Sequence, residues 1–386
     1  MSNKVKLMAA TFAVGMAAVM SGCGGCMGCN SCSSCGGSTS SGALVHSNWF
    51  TGTSYNGIQP SFIVENPDGI DVNDSATYQN AEVITYTVEY DKKSSNENVE
   101  LEYRDGKFST VFCAFEYDWS KEGTPEGYAG SKPEILYYYR TELSIDVKYK
   151  MLVGDKRESD WFEDDGVVTE SYFRAVGKNL QPVYSRQTVK STSPAELRPT
   201  TLTAAYKIID ESYENFYNYS CTRVLTKTTK DNKTTEKTHK VGNYVYDNSS
   251  LYILARAMLS SSLSQTVSLY SPAAGGTDKY ALTGSNSNLP SDENNDERKK
   301  CTDALTAQGL YKSSGEDDKG VTTTAVSVSY AGGDLHGTSQ TIWYASLSNN
   351  KDNNLSRATM VKLSVPISFG LGTLNYNLDE IKSTLI

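Results

Sequence analysis

The sequence predicts a mainly β (α+β) fold, in which an antiparallel sheet carries one helix. Three observations predict it. Apolar and polar residues alternate strictly along several stretches of the 386-residue chain. The chain also contains 26 tyrosines, a residue that favours strands because it has an apolar body and a polar tip. One further stretch has apolar residues at helical spacing, which indicates the helix.

The clearest strand lies at residues 143–151, where apolar and polar residues alternate throughout. Side chains two apart in a strand point to the same face, so one face is buried and the other meets water. Such alternation favours antiparallel pairing, because strands buried on both faces read as continuous apolar runs. The buried set of this strand is Leu143, Ile145, Val147, Tyr149 and Met151. The same pattern recurs at residues 84–90, 99–104, 326–330, 361–365 and 374–378.

Residues 246–259 contain the helical pattern. Asp247 or Asn248 can cap the N-terminus, and apolar residues then recur three and four positions apart. These apolar residues are Leu251, Leu254, Ala255, Met258 and Leu259. The pattern predicts a helix over about residues 248–263, whose apolar stripe packs onto the open side of the sheet.

Residues 1–22 have the composition of a secretory signal peptide. Lys4 and Lys6 precede fourteen uncharged residues, 7–20, and small residues follow. That run is too short to cross a membrane, which takes roughly 20 apolar residues, and no later stretch qualifies. We therefore expect an exported chain without an integral membrane span.

The residues Met20-Ser21-Gly22-Cys23 resemble the lipobox of bacterial lipoproteins, in which the signal peptide is cleaved before a cysteine that becomes acylated. The usual first residue is leucine, and here it is methionine. Two acyl chains hold a protein on a membrane, whereas one chain binds only reversibly. The resemblance implies acylation (palmitate) at Cys23 and a lipid-anchored protein on the extracytoplasmic face of a bacterial membrane. A freely secreted product is the alternative.

Four more cysteines follow at intervals of three in a Gly- and Ser-rich stretch: Cys26, Cys29, Cys32 and Cys35. Ferredoxin ligand runs end in a longer gap and a proline, and two-pair zinc sites need a long loop between the pairs. Neither feature is present in this stretch of the sequence. Residues 23–43 are therefore predicted to form a flexible, thiol-bearing tether. A bound metal and redox cross-linking stay open as alternatives.

The predicted mature chain is acidic, because loss of Lys4 and Lys6 takes its formal net charge from −9 to −11. An acidic protein is repelled by nucleic acid, so we expect no nucleic-acid partner. The rest of the chain holds only Cys113, Cys221 and Cys301. These are too few and too far apart for a disulfide framework.

Residues 44–386 are predicted to form a single β-rich domain with exposed loops at 229–240 and 284–320. Both segments are rich in polar and charged residues and have little to bury. Residues 94–98 read as a hairpin tip. Two sheets divided near residue 130 are the alternative.

Three groups of residues between about Ala81 and Leu378 resemble DUF3108, a bacterial family of unknown function. The first two groups are Glu170, Ser171, Leu180, Pro182, Tyr184 and Arg186, then Tyr246, Asp247, Leu251 and Arg256. The third group is Val365, Pro366, Phe369, Gly370, Gly372, Thr373 and Leu374. The resemblance implies a curved antiparallel sheet, an incomplete barrel with the helix on its hollow side, similar to periplasmic lipoprotein carriers. Such a fold would offer an apolar concavity to a ligand.

The sequence contains no familiar catalytic signature. It lacks Gly-x-Ser-x-Gly, His-Glu-x-x-His and a phosphate-binding glycine loop. His46, His239 and His336 occupy positions typical of surface or turn residues. Residues 68–74 contain carboxylates that could hold Ca²⁺, but without the alternation of an EF-hand, which favours a simple acidic turn. We therefore predict no enzyme, no metal and no cofactor.

Two function classes follow, with a third behind them. The first is a non-catalytic lipoprotein that binds a lipid or other apolar molecule in the curved sheet, through Leu143, Ile145, Val147, Tyr149, Leu251 and Met258. The second is an envelope structural or adhesive protein with a filled core, which contacts a polysaccharide or protein component. The third is a hydrolase with dispersed acidic residues. The first two differ in whether the sheet residues face a cavity or the helix.

Overall fold

A computed structural model of the chain describes most of the sequence after residue 62. The described residues are 63–92, 99–118, 134–152, 157–176, 179–194, 206–217, 222–229, 234–240, 244–256, 258, 264–293, 296–312, 315, 318–348, 356–367 and 371–383. The predicted signal peptide, Cys23, the tether cysteines, His46, Cys221 and the hairpin tip at 94–98 lie outside them.

Seventeen strands make up most of the described chain. They are β1 (Ile63–Val64), β2 (Glu82–Asp91), β3 (Val99–Tyr117), β4 (Glu134–Met151), β5 (Arg157–Glu158), β6 (Phe162–Val176), β7 (Asn179–Pro194), β8 (Tyr206–Tyr217), β9 (Thr222–Thr229), β10 (Thr234–Lys240), β11 (Val245–Asp247), β12 (Gln265–Ser271), β13 (Gly276–Ser285), β14 (Thr323–Gly333), β15 (Gln340–Ser348), β16 (Ser356–Ile367) and β17 (Gly372–Ser383). Two α-helices accompany them, α1 (Leu251–Arg256) and α2 (Glu297–Ala307).

One sheet contains all these strands, and nearly all of its pairs are antiparallel. The registers run from β10 through β9, β8, β7, β6, β4, β3 and β2 to β17, and then back down the chain to β11. The parallel pairs are β1 with β3 and β11 with β12. The predicted mainly β, antiparallel fold is confirmed.

The sheet curls until its β11 end meets β6 and β7, far away in the strand order. Tyr246 Oη of β11 donates to the Leu180 carbonyl of β7 at 2.7 Å. Ser171 Oγ of β6 donates to Asp247 Oδ2 at 2.6 Å. Side chains rather than a described ladder make this contact, and β8, β9 and β10 continue past it. The predicted curved, incomplete barrel is therefore confirmed.

Alternation sets the inner face of the barrel, as predicted. The six stretches fall in β2, β3, β4, β14, β16 and β17, and their apolar residues belong to one large core. In β2, for example, Ile84, Tyr86 and Val88 are buried, whereas Thr87 and Glu89 are exposed. We call the side of the sheet to which these alternating apolar residues point its inner face and the opposite side its outer face.

Helix α1 lies against this inner face and is shorter than predicted. Asp247 is a cap, since its carboxylate accepts from Ser250 N at 3.0 Å, but residues Asn248–Ser250 form a 3-10 turn. The α-helix ends at Arg256, and Met258 N bonds back to Ala255 O, three residues earlier. Serines favour such tight side-chain-bonded turns at helix ends over helix interiors, which explains the shortened start. Residues 257 and 259–263 lie outside the described chain.

The prediction of an exposed loop at 229–240 is wrong for most of that segment. Residues Thr234–Lys240 form β10, which pairs along its length with Thr222–Thr229. Threonine is a good strand former, and pairing satisfies the backbone even where the side chains are polar. A strand without an apolar face has no alternation for sequence reasoning to detect.

The loop predicted at 284–320 contains a helix, so that prediction is also wrong in part. Asp296 caps α2 by accepting from Lys299 N at 3.0 Å. Of the helix, only Cys301 and Leu305 are buried, four positions apart on one face. Two buried positions in eleven residues are too few to stand out among so many charges.

A second, smaller core covers part of the outer face. The segment from β1 to Ala81, which we call the strap, lays Val64, Ile70 and Ala81 against β2, β3, β4 and β7. As a result β3 is buried on both faces between Phe108 and Phe115, and its sequence is an unbroken apolar run from Val111 to Phe115. Cys113 and Cys301 are both buried and free of disulfides.

Candidate functional site

The six residues predicted to bind an apolar ligand all lie inside the large core. Leu143, Ile145, Val147, Tyr149, Leu251 and Met258 are each at most 1% exposed. The sheet and helix residues belong to the same apolar cluster, which fills this side of the sheet. None of the six lines the three surface grooves described below. Their binding of a ligand stays a prediction.

Aromatic side chains fill the space between α1 and the sheet. The Phe108 ring lies 5.5 Å from Tyr86, 6.1 Å from Tyr252 of α1 and 5.2 Å from Tyr376, measured between ring centroids. Aromatic contacts of this kind stabilise a packed interior beyond the area they bury. This part of the inner face is therefore occupied by the protein itself.

Polar contacts hold the C-terminal end and the middle of α1. At its C-terminal end, Arg256 Nη2 lies 2.6 Å from Glu82 Oε1 of β2, and both side chains are no more than 5% exposed. In the middle, Tyr344 Oη donates to the Tyr252 carbonyl at 2.6 Å. A buried ion pair is costly to break, because the remaining charge is left without a partner.

A buried polar cluster holds the N-terminal end of α1 where the barrel edge meets β6 and β7. Asp247 accepts from Ser171 Oγ and Ser250 Oγ, both at 2.6 Å. Gln187 Nε2 donates to Asn248 Oδ1 at 3.3 Å. Burial raises the pKa of Asp247, and these hydrogen bonds act against that rise. The carboxylate serves as the cap of the turn that begins the helix.

Several residues of the DUF3108 resemblance lie at this meeting point or beside it. Leu180 and Tyr246 are hydrogen-bonded, and Asp247 and Arg256 hold the two ends of α1. On the outer face, Arg186 Nε lies 2.6 Å from Glu170 Oε2. The resemblance therefore falls on residues with structural roles.

His336 and the acidic turn at residues 68–74, which the sequence singled out, have hydrogen-bonded contacts. The side chain of His239 lies outside the described residues. His336 is exposed and adopts a positive φ of 56° in a loop that folds over Asp278. Asp278 accepts from Leu335 N at 2.8 Å and Gly337 N at 3.0 Å. In the acidic turn, Asp71 Oδ1 accepts from Asn73 N at 2.8 Å. Such carboxylates brace loops by bonding to the backbone.

The outer face carries two open grooves on either side of α2. The first, which we call the Trp343 groove, has a volume of about 480 Å³ and crosses β14, β15, β16 and β17. Its lining includes Asp91, Glu297, Ser327, Ser329, Ser339, Thr341, Trp343, Ser364, Thr373 and Asn375. Hydroxyl and amide groups thus dominate a surface that contains one large aromatic ring.

The registers arrange the polar groups of the Trp343 groove in rows that cross the strands. Ser327 pairs with Thr341, Thr341 with Ser364, and Ser364 with Asn375. Thr373 and Asp91 are paired at the far side. Neighbouring strands lie about 4.7–4.9 Å apart, so each row presents hydrogen-bonding groups at that interval.

Trp343 forms one wall of the groove and is held in place by the core and by Lys362. The indole is half-buried and packs against the large core. Lys362 Nζ lies 5.8 Å from the ring centroid, and Lys362 forms an ion pair with Glu297 of α2. A fixed aromatic ring beside fixed polar groups makes a preformed binding surface.

The second groove, the Arg140 groove, has a volume of about 500 Å³ and crosses β2, β3, β4 and β17 beside the strap. Arg140 Nη1 donates to the Ile70 carbonyl at 3.0 Å and Nη2 contacts Glu142 at 2.5 Å. The groove also holds Lys107 and Asp379. Helix α2 separates the two grooves, and Gln308 at its end bonds to β17 through the Ile381 amide at 2.7 Å. A third groove of about 100 Å³ lies at the helix itself.

Sequence reasoning missed both large grooves. Their residues occupy the polar positions of the alternating strands, which usually mark nothing more than a solvated face. The available signal was Trp343, a large aromatic residue at a polar position of β15, between the buried Ile342 and Tyr344. The grooves themselves depend on where α2 and the strap lie, which no local pattern specifies.

Comparisons with known proteins complete this description. No family model matches the chain, and no curated protein matches it. Among solved structures, a beta-barrel-like protein of the domain of unknown function DUF1849 from Brucella abortus is similar to it, with a TM-score of 0.41 and 11% sequence identity. The match covers 77% of this chain and 95% of the other. Neither α1 nor α2, the described helices, is long and apolar enough to span a membrane.

Proposed function

We propose that this chain is a lipid-anchored envelope protein of the extracytoplasmic face of a bacterial membrane. It acts without catalysis and contacts an envelope component through the outer face of its sheet. The observation that carries this proposal is the filled inner face, where α1 and aromatic side chains occupy the side that a carrier would leave hollow.

The inner face is filled with features that resist opening. The interior rings of Phe108, Tyr252 and Tyr376 pack together, and both charges of the Arg256–Glu82 pair are buried. Admitting a lipid would require α1 to leave, which would expose that ion pair and the apolar surface beneath it. The outer grooves need no such rearrangement.

The anchor is proposed from the sequence of residues 1–43. The lipobox-like residues ending at Cys23 supply the acylation site, and the Gly- and Ser-rich stretch supplies a flexible connection. The described chain then begins with the strap, whose β1 pairs with Ala114 and Phe115 of β3 and whose Val64 and Ile70 lie in the smaller core on the outer face. The first segment of the described chain thus lies beside the Arg140 groove, whose lining includes Ile70 and Asp71.

An apolar-ligand carrier is the second candidate, and one observation favours it. The buried hydroxyl of Tyr376 and the buried amide of Gln340 have no hydrogen-bond partner among the described residues. Both occupy the same strand phase as core residues, Gln340 with Ile342 and Tyr376 with Leu374. Unpaired buried polar groups cost free energy, which a bound amphipathic molecule would offset.

Two measurements test the proposal: the first tests the lipid anchor, and the second separates the two candidates. Cells expressing the full chain are labelled with a palmitate analogue, with Cys23→Ala as the control, and the protein is located by membrane fractionation. The proposal expects label and membrane location for the unaltered chain and loss of both in the variant; unlabelled protein in the cytosol would refute it.

Native mass spectrometry of the protein from its own membrane then reports any bound lipid. Stoichiometric lipid would support the carrier and contradict the outer-face proposal.

A further inference from the structure

We propose that the Trp343 groove binds a neutral glycan strand lying across β14, β15, β16 and β17. This inference rests on the proposed function and names the class of envelope component that the outer face takes. A sugar ring has an apolar C–H face and a rim of hydroxyls, so its binding site needs a flat aromatic ring next to hydrogen-bonding groups.

The aromatic requirement is met by a single, well-supported ring. Trp343 is half-buried, packs against the core and has Lys362 beside it. Lys362 is only 4% exposed and is paired with Glu297, so it braces the ring instead of reaching into the groove. Little side-chain entropy remains to be lost when a ligand packs on such a ring.

The hydrogen-bonding requirement is met by the cross-strand rows. Ser364 Oγ donates to Asn375 Oδ1 at 2.7 Å, which leaves the Asn375 amide nitrogen as a donor to a ligand. Thr341 and Ser327 continue the same row with hydroxyls that both donate and accept. Hydroxyls and amides suit a ligand whose own groups are hydroxyls, since each side can act in either sense.

Charge decides which glycan fits. The described lining includes the carboxylate of Asp91, the carboxylate of Glu297, which is paired with Lys362, and neither lysine nor arginine. A polyanion such as an oligogalacturonate would therefore be repelled, and recognition of phosphate or carboxylate groups has no cationic partner here. An uncharged polyhydroxyl chain meets no such penalty.

The Arg140 groove is a natural contrast on the same face. Its volume is similar, but it carries Lys107 and Arg140 among several carboxylates, and its lining includes no indole. Its charges are partly paired with one another, as Arg140 is with Glu142. The features that favour a neutral glycan thus belong to one groove and are not general to the outer face.

Isothermal titration of the purified chain tests this inference with four soluble probes. They are cellohexaose, maltohexaose and chitohexaose, which are neutral, and hexagalacturonate, which is anionic. We expect at least one neutral probe to bind and the anionic probe to bind more weakly. Failure of all three neutral probes, or tighter binding of hexagalacturonate, would overturn the inference.

Variants then locate the site. Trp343→Ala and Asn375→Ala should each weaken binding about tenfold or more, as expected when a central contact of a binding surface is lost. Trp161→Ala is the matched control. Trp161 is also half-buried, but it does not line the groove, and its ring centroid lies 4.3 Å from Arg104 Cζ. Trp343→Phe should retain part of the affinity if Trp343→Ala fails to fold. Equal binding by the folded Trp343 variants and by the Trp161 control would place the ligand elsewhere and refute the site.

Failure of glycan binding in the Trp343 groove can be distinguished from failure of the proposed lipid anchor. Palmitate labelling and membrane location depend on Cys23 and should be unchanged in Trp343→Ala. A labelled, membrane-bound protein that ignores every neutral glycan would refute the groove alone. A glycan-binding protein without label on Cys23 would refute the lipid anchor and leave the groove intact.

Discussion

The inner and outer faces of the sheet are built from the same alternating strands, but the inner face is closed and the outer face is partly open. The inner face is closed by α1, whose residues join the sheet in one core. The outer face is covered only in part, by the strap and by α2, and two grooves of about 500 Å³ and 480 Å³ stay open on either side of α2. The difference teaches that alternation decides which side chains share a face. What is laid over each face decides which one can bind.

The buried ion pair offers the largest expected effect on the inner face. Arg256→Met should destabilise the protein by about 3–5 kcal/mol, because the buried Glu82 carboxylate loses the guanidinium that offsets its charge. The double variant Glu82→Met with Arg256→Met should recover most of that loss. Urea denaturation of the purified chain measures both. A single variant within about 1 kcal/mol of the parent would mean that water reaches Glu82 and that the inner face is not closed.

Truncation of a predicted ligand-binding residue sharpens the same comparison. Leu143→Ala should cost about 2–5 kcal/mol of unfolding free energy, because its side chain is packed in the core. Its neighbour Ser144 points to the outer face, and Ser144→Ala should stay within about 0.5 kcal/mol. Denaturation curves for the two variants test the contrast. If Leu143→Ala were as mild as Ser144→Ala, residue 143 would face a cavity, as a carrier requires.

The same contrast shows what sequence could and could not predict. The alternation of Leu143 with Ser144 was enough to assign faces and the antiparallel class. It could not reveal β10, whose threonines and charges leave no apolar face, or α2, which buries only Cys301 and Leu305. The strap and the contact of Tyr246 with Leu180 join residues distant in sequence, so no local signal exists for them.

pH dependence tests the interior of the barrel by another route. Burial raises the pKa of Asp165 to about 7, against hydrogen bonds from Thr192 N at 2.7 Å and Thr192 Oγ1 at 3.2 Å. The folded state therefore holds a proton on Asp165 that the unfolded state, with a pKa near 3.9, has lost. This group stabilises the fold fully below about pH 4, and that contribution is lost as the pH rises to about 7.

We expect the parent and Asp165→Asn to differ in how their unfolding free energies depend on pH. Asp165→Asn removes this contribution, so the stability of the parent relative to Asp165→Asn should fall between about pH 4 and pH 7. Asp164→Asn is the control, because the Asp164 side chain is 74% exposed. Unfolding free energies measured by urea at several pH values give the comparison. Parallel pH profiles for the parent and Asp165→Asn would show that water solvates Asp165 in the fold.

The smallest expected effect concerns α2, which separates the two outer grooves. Asp296→Ala removes the cap that accepts from Lys299 N, and it should cost about 1 kcal/mol. The loss should be local, since α2 buries only two side chains, and hydrogen exchange should quicken in α2 while β4 stays protected. Asp303→Ala, in the exposed ion pair with Lys299, is a control that should cost less.

Because Glu297 of α2 pairs with Lys362 behind Trp343, a loosened helix should also weaken ligand binding in the Trp343 groove. Unchanged exchange in α2 would contradict the capping role, and quicker exchange with unchanged glycan affinity would mean that the indole is held in place by the sheet alone.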